Sequence, residues 1–259
     1  MPFKIAISNE KGGVAKTTTT FSLGAALVEL GKKVLLIDLD YQGNLTLANG
    51  FQSDTVNYSP SEFLFDKYTS AVTIQHTKIN NLDLIPSSNK LLESENILSE
   101  NNLLNQRMKI FSDNSILDYD FLIFDCPPSN GLITFIALAA VDLLIIPTQA
   151  EYFSAYALRD MMNLIRKTRK DTNPLLAYRI LITMLDQRNR TQRAIADQLH
   201  QTFGIGLFNT IIEIDTKLRE SPITGFPITK YRPKSRGSQQ YKALALELME
   251  YIKQQNETS

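Results

Sequence analysis

Residues 3–18, Phe3-Lys4-Ile5-Ala6-Ile7-Ser8-Asn9-Glu10-Lys11-Gly12-Gly13-Val14-Ala15-Lys16-Thr17-Thr18, decide the fold. The apolar run Phe3–Ser8 reads as a buried strand. The segment Thr17–Leu30 carries Leu23, Leu27 and Leu30 on one helical face and is stopped by Gly31. Between them, Gly12 and Gly13 let the backbone fold tightly around an anion, the helix start presents unpaired N–H groups, and Lys16 adds a point charge. Thr17 offers a hydroxyl suited to a magnesium ion. Strand, glycine loop and helix in this order make a loop for the phosphates of a nucleotide. The regular pattern G-x-x-x-x-G-K-[ST] is not met, because Glu10 and Ala15 occupy its glycine positions. Ala15 needs a backbone angle that alanine tolerates, so the detailed shape of the loop is open at that residue.

Outward from this loop, short runs rich in β-branched residues recur at Val34–Leu39, Leu82–Pro86, Phe121–Phe124, Leu143–Pro147, Tyr178–Met184 and Leu207–Ile214. Segments of helical spacing separate most of them: Asn89–Phe111, Gly131–Ala140, Phe153–Thr168, Thr191–Phe203 and Ser238–Gln254. Alternating strands and helices predict an α/β fold of three layers, a mainly parallel sheet with helices on both faces, because parallel neighbours need crossovers. No linker, repeat or low-complexity tract divides the chain, so residues 1–259 are expected to form a single domain.

Ligands of such sheets bind beyond the carboxyl ends of the strands, and carboxylates follow two of them. Asp38 and Asp40, in Ile37-Asp38-Leu39-Asp40-Tyr41-Gln42-Gly43-Asn44, point to one side by strand periodicity. They suit coordination of magnesium water (Asp38) and orientation of an attacking water (Asp40). Asp125 ends Phe121-Leu122-Ile123-Phe124-Asp125, and Pro127 and Pro128 stiffen the loop after it. Cys126 reads as a small packing residue, and His76 and His200 have no motif around them.

These stretches resemble the ParA/MinD family of P-loop NTPases, whose deviant Walker A loop is K-G-G-x-x-K-[ST]-[ST]. Lys11 stands at the position of that family's signature lysine. Asp38–Asn44 is similar to its D-x-D-x-Q-[GA]-N stretch, with Tyr41 where proline is frequent, and Tyr119–Pro128 to its Y-D-x-x-[IL]-[IF]-D-x-P-P segment. Asp142–Glu151 and Ile182–Asp186 continue the likeness, which is weakest over residues 50–115. The resemblance implies ATP and Mg²⁺ as cofactors, bound by Lys11, Gly12, Gly13, Val14, Ala15, Lys16, Thr17 and Thr18. It implies Thr17, Asp38 and Asp125 at the metal, and Lys11, Lys16 and Asp40 in catalysis. Lys11 then acts across an ATP-dependent homodimer, and hydrolysis is slow without an adaptor.

Composition narrows the branch. A single cysteine excludes the paired thiolates that hold an iron–sulfur cluster between subunits. The segment Leu246–Ser259 has mixed charges and a polar end, unlike an amphipathic membrane anchor, and no window is apolar enough to span a bilayer. Net charge is zero, but residues 159–242 carry sixteen Lys and Arg against seven Asp and Glu, a balance of +9, while residues 50–120 carry five against ten, a balance of −5. ParA proteins bind nonspecific DNA through basic residues of this half. Arg188 and Lys217 match family positions, with Arg190, Arg193, Lys230, Arg232, Lys234 and Arg236 around them. The resemblance thus implies a cytoplasmic, nucleoid-associated ATPase with a ParB-like adaptor and no membrane partner. It moves a chromosome, a plasmid or a protein assembly. The alternative is a MinD-like or other dimeric P-loop switch that does not bind DNA.

Overall fold

The computed structural model describes residues 1–52, 74–88 and 118–258, together with residues 59, 60, 64, 91, 108, 109 and 113. Its eight strands are β1 (Phe3–Ile7), β2 (Val34–Asp38), β3 (Gln75–His76), β4 (Leu82–Ile85), β5 (Phe121–Asp125), β6 (Leu143–Gln149), β7 (Ala177–Leu185) and β8 (Ile212–Glu213). They form one sheet in the order β3-β4-β2-β5-β1-β6-β7-β8. All pairings are parallel except β3 with β4 at the edge.

The strands at the centre are buried along their whole length, which is why they read as continuous apolar runs. Their alternate residues feed two separate cores. Ala6, Leu35, Ile37, Leu122, Phe124, Leu144 and Ile146 point to one face. There they meet Ile133 and Ile136 of α3 (Leu132–Ala140), Leu158 and Met161 of α4 (Ser154–Asp171), and Ala196 and Leu199 of α5 (Arg190–Phe203). Ile5, Ile7, Val34, Leu36, Ile123 and Ile145 point to the other face. That face is covered by Phe21, Leu23 and Leu27 of α1 (Lys16–Glu29) and by Tyr241, Leu244 and Leu248 of α8 (Arg236–Thr258). The expected three layers are therefore present. Helix α1 approaches the sheet closely at Gly24, where an added Cβ would lie 2.8 Å from Leu36 Cδ2.

Strand order places the site. The chain leaves β1 toward β2 on one side, whereas β5 connects through α3 to β6 on the other. Connections that diverge from adjacent strands open a crevice beyond their carboxyl ends, and the loop after β1 sits over it.

The expected strand Leu207–Ile214 is a correction. Only Ile212–Glu213 forms β8, with one further bridge from Leu207 to Ile180. In between, the Glu247 carboxylate accepts the N–H groups of Asn209 and Thr210 at 2.6 and 2.9 Å, so a side chain takes donors that a longer ladder would use. The short edge strand β3 has no counterpart in the sequence reading, and the expected helix Asn89–Phe111 lies outside the described residues apart from positions 91, 108 and 109.

Ala15 immediately precedes α1 with φ 69° and ψ 33°, a left-handed conformation, and its carbonyl accepts the first helical hydrogen bond from Thr19 N at 2.9 Å. A Cβ in this region crowds the following carbonyl. Replacing Ala15 with glycine removes that crowding while loosening the unfolded chain, so Ala15→Gly is expected to raise stability by about 1 kcal/mol. Urea unfolding checks this as an upward shift of the midpoint at unchanged slope.

Candidate nucleotide and metal site

The loop between β1 and α1 is held by hydrogen bonds from neighbouring strands. Asn9 Nδ2 donates to Pro147 O at 2.8 Å, and Asn9 Oδ1 accepts from Lys11 N at 3.0 Å. Thr183 Oγ1 donates to Val14 O at 3.0 Å. Gly13 takes φ 74°, and a Cβ added at Gly12 or Gly13 would meet no atom within 4 Å, so both glycines face open space. Lys16 Nζ turns back across the loop to donate to Asn9 O at 2.9 Å and Lys11 O at 3.2 Å. Burial pulls the pKa of Lys16 down, and the charges of Asp125 and Asp40 push it back up. A buried ammonium held only by carbonyls is poised to exchange them for an anion.

The loop forms one wall of a pocket of about 490 Å³. Gly12, Gly13, Ala15, Lys16, Thr17 and Thr18 line one end together with Asp40 and Pro128. The far end is built from Ile212, Ile214, Asp215, Leu218, Pro222 and Tyr241. The sequence reading missed this second wall, which belongs to β8, to α6 (Thr216–Glu220), to the turn after it and to α8. One local signal was available: Asp215 before Thr216 is a helix cap, accepting from Lys217 N at 2.9 Å, and its other oxygen takes Gly237 N at 2.9 Å. Those two bonds tie the wall together.

The three carboxylates differ in what they touch. Asp38 is saturated: Oδ2 accepts Thr46 N at 2.8 Å and Thr46 Oγ1 at 2.7 Å, and Oδ1 accepts Asp40 N at 3.2 Å. It anchors α2 (Asn44–Ala48) and the turn that carries Asp40. Asp40 lines the pocket and accepts Gln42 N at 3.0 Å. Asp125 accepts Thr20 Oγ1 at 3.1 Å on Oδ1, whereas its buried Oδ2 has no hydrogen-bond partner of regular geometry. Burial raises Asp38 well above the ordinary carboxylate range, and the charge of Asp125 adds to this. Burial likewise raises Asp125 to about 7. A buried carboxylate oxygen without a regular hydrogen bond, a second buried carboxylate nearby and the Thr17 hydroxyl on the pocket wall are a donor set that fits a hydrated hard cation.

Lys11 does not join this group. Its Nζ is bonded to Glu151 Oε2 at 2.6 Å and to Gln149 Oε1 at 3.1 Å, at the end of β6. Gln149 in turn donates to Met184 Sδ at 3.1 Å and to Gly13 O at 3.4 Å. Arg188 and Lys217 lie three residues beyond Leu185 and Ile214, which are joined by the bond from Ile214 N to Leu185 O. Both cations are paired within the chain. Arg188 forms a two-pronged contact with Asp186 at 2.9 and 2.8 Å, and this hydrogen-bonded arginine holds Asp186 down at about 2. Lys217 contacts Glu220 at 2.8 and 2.9 Å. Lys230 pairs with Glu29 and Arg236 with Glu213, while Arg190 and Arg193 border a separate open groove of about 600 Å³ with His200.

A glycine loop closed by a buried lysine, set over the divergence point of a parallel sheet with carboxylates behind it, defines a P-loop nucleoside triphosphatase. Residues 3–178 match the AAA domain family, and the chain belongs to it, within the group of ParA/MinD-type partition ATPases. It is 38% identical over 245 residues to the sporulation initiation inhibitor protein Soj of Bacillus subtilis, covering 94% of this chain and 97% of that protein. It is 34% identical over 246 residues to the chromosome partitioning protein ParA of Myxococcus xanthus, covering 95% and 87%. Among solved structures it resembles cobyrinic acid a,c-diamide synthase from Mycobacterium smegmatis with bound ATP analog and magnesium. The TM-score is 0.83 at 30% identity, covering 98% and 96% of the two chains.

The raised carboxylate yields a prediction for the protein without nucleotide or metal. Between the ordinary carboxylate range and about pH 7, the folded state holds a proton on Asp125 that the unfolded chain has lost. Stability then falls as pH rises through that window, by up to about 1.4 kcal/mol per pH unit for one proton. Urea unfolding at pH 5, 6 and 7 is expected to show this decline, and Asp125→Asn to make it shallower while the share of Asp38 remains.

Proposed function

We propose that this ATPase binds Mg·ATP, closes into a sandwich homodimer around it, and in that state holds nonspecific DNA to position a cargo. Residues 1–259 act as one ATPase domain. Lys16 takes the β- and γ-phosphates, with the loop N–H groups of Gly12 to Thr18 around them. Thr17 and Asp125 hold the magnesium ion and its waters, Asp38 supports that group from behind, and Asp40 orients the attacking water. The bound ion supplies charge neutralisation at the transferred phosphoryl group.

The observation that carries the dimer is the position of Lys11. It belongs to the phosphate loop yet reaches away from its own pocket to Glu151, so a second copy that displaced Glu151 would gain its charge for the nucleotide it holds. The basic half supports DNA. Arg188 has a side chain 89% exposed, and solvent-exposed ion pairs such as Arg188–Asp186 contribute little, so phosphates can displace the carboxylate. Two copies side by side double the phosphate contacts, and doubling converts weak attachment into avidity. A ParB-like adaptor accelerates hydrolysis and resets the cycle. The basic half supports a place of work in the cytoplasm on the nucleoid. Among the described residues no helix is long and apolar enough to cross a membrane.

The test uses Asp40→Ala, expected to dimerise with ATP and hydrolyse it very slowly. Anisotropy of a random-sequence duplex over a salt series should show binding with ATP, little with ADP, and a steep loss as salt rises. Adding Arg188→Ala should lower affinity and flatten the salt slope by about one charge per subunit while leaving the dimer intact. DNA binding indifferent to nucleotide would favour a switch that does not use DNA.

A further inference from the structure

Four cations of the basic half, Arg188, Lys217, Lys230 and Arg236, are each matched by a carboxylate. Arg190 and Arg193 of α5 are not. Among the described residues neither guanidinium has an ion pair or a hydrogen-bond partner, and nor do the side chains of Asp197 and His200 on the same helix. Arg190, Arg193, Asp197 and His200 fall at i, i+3, i+7 and i+10, so they share one stripe of α5, beside the face that buries Ala196 and Leu199. All four border the open groove of about 600 Å³. Its remaining lining comes from the end of β7 and the run into β8, through Leu185, Gln187 and Ile211, and the small Ala194 and Ala196 keep it open. From Arg190 to His200 the helix rises about 15 Å, the span of an extended segment of about five residues.

We infer that this groove docks an extended acidic segment of a partner protein, which sets two carboxylates on Arg190 and Arg193 and a basic residue on Asp197. The occupant is argued from charge. A guanidinium without a partner presents a rigid fork of donors that a carboxylate fills in two-pronged fashion. Phosphate fits the same fork, so the rest of the stripe decides between a peptide and a nucleic acid. Asp197 stands in line with the two arginines and repels a further phosphate, which a backbone of evenly spaced charges cannot avoid, whereas a peptide can place a lysine there. Leu185, Ala194 and Ile211 seat an apolar side chain of a peptide and offer nothing to a sugar–phosphate chain. Arg188, bonded to Asp186, does not line the groove, so this site is distinct from the contact given above to DNA. It is also close to the nucleotide. Gln187 borders the groove and donates to Glu213 Oε1 at 3.2 Å, and Glu213 lines the nucleotide pocket, so the occupant sits one hydrogen bond away from the pocket wall.

The test titrates the full chain into a fluorescent peptide whose central residues are two glutamates, a leucine and a lysine, and reads anisotropy. The parent is expected to bind it. Arg190→Ala with Arg193→Ala should weaken binding at least tenfold while leaving ATP affinity unchanged in calorimetry, since both side chains are exposed and neither borders the nucleotide pocket. Asp197→Lys should also weaken it, and a second peptide with glutamate in place of the lysine should bind that variant better than it binds the parent. A parent that does not bind the first peptide, or a double variant that binds it as well as the parent does, overturns the proposal. If both peptides rank the parent and Asp197→Lys in the same order, the attraction is one of net charge only and the docking site falls. Should the double variant lose ATP affinity, the charge reversal at Asp197 decides alone. A random-sequence duplex is the remaining arm, added with ATP present. Displacement of the peptide by a duplex that the double variant no longer binds assigns the groove to nucleic acid and overturns the proposal.

Discussion

The withdrawal from water of Lys16, Asp38 and Asp125 behind the phosphate loop is the constraint on which the rest of the structure depends. An ion moved into a protein interior costs several kcal/mol even after relaxation. The fold meets that cost unevenly. Lys16 has two carbonyls, Asp38 has three donors, and Asp125 is left one oxygen short. The deficit sits behind the phosphate loop, where burial raises the pKa of both acids. A cation bound there would displace protons, so its binding and proton release would be linked. The sheet order serves this arrangement. Placing β1 between β5 and β6 sets the loop beside Asp125, and β2 beyond β5 brings Asp38 and Asp40 up behind it.

Much of this was legible in the residues. The central strands announced themselves because both faces are covered, so apolar residues run without interruption through Val34–Ile37 and Phe121–Phe124. The ends of strands were also readable as chemistry, since Lys16, Thr17, Asp40 and the Pro128 loop do come together at one pocket. The angle at Ala15 was not legible: the residue takes the left-handed conformation, which alanine tolerates poorly. What escaped reading depended on distant partners. The second wall of the pocket combines Ile214, Leu218, Pro222 and Tyr241, whose side chains are unremarkable singly and meet only through the packing of α8 on α1. The run Leu207–Ile214 looks like a strand because its apolar residues are buried, yet Glu247, far along the chain, claims its central N–H groups.

Charge shows the same limit. A balance of +9 over residues 159–242 marked the C-terminal half as the basic one. In the fold, Arg188, Lys217, Lys230 and Arg236 each face a carboxylate, partly from the same turn and partly from α1 and β8. Such pairs lower the standing potential of the surface without removing its cations. Attachment to a polyanion then becomes an exchange of partners, which is graded and reversible. That suits the proposed attachment to DNA, which must end when the nucleotide changes.

The register of β1 has a consequence for how the protein comes into being. Phe3 pairs with Phe121 and Ile5 with Leu143, so β1 has no neighbour until β5 and β6 have been synthesised. Contacts of such wide sequence separation close slowly, and a chain grows at roughly 5–20 residues per second. Tyr241, which lines the pocket and bonds Thr19 at 3.0 Å, arrives later still. The nucleotide loop is therefore translated more than two hundred residues before the last side chain of its pocket. A nascent chain cannot complete that pocket before Tyr241 has been made.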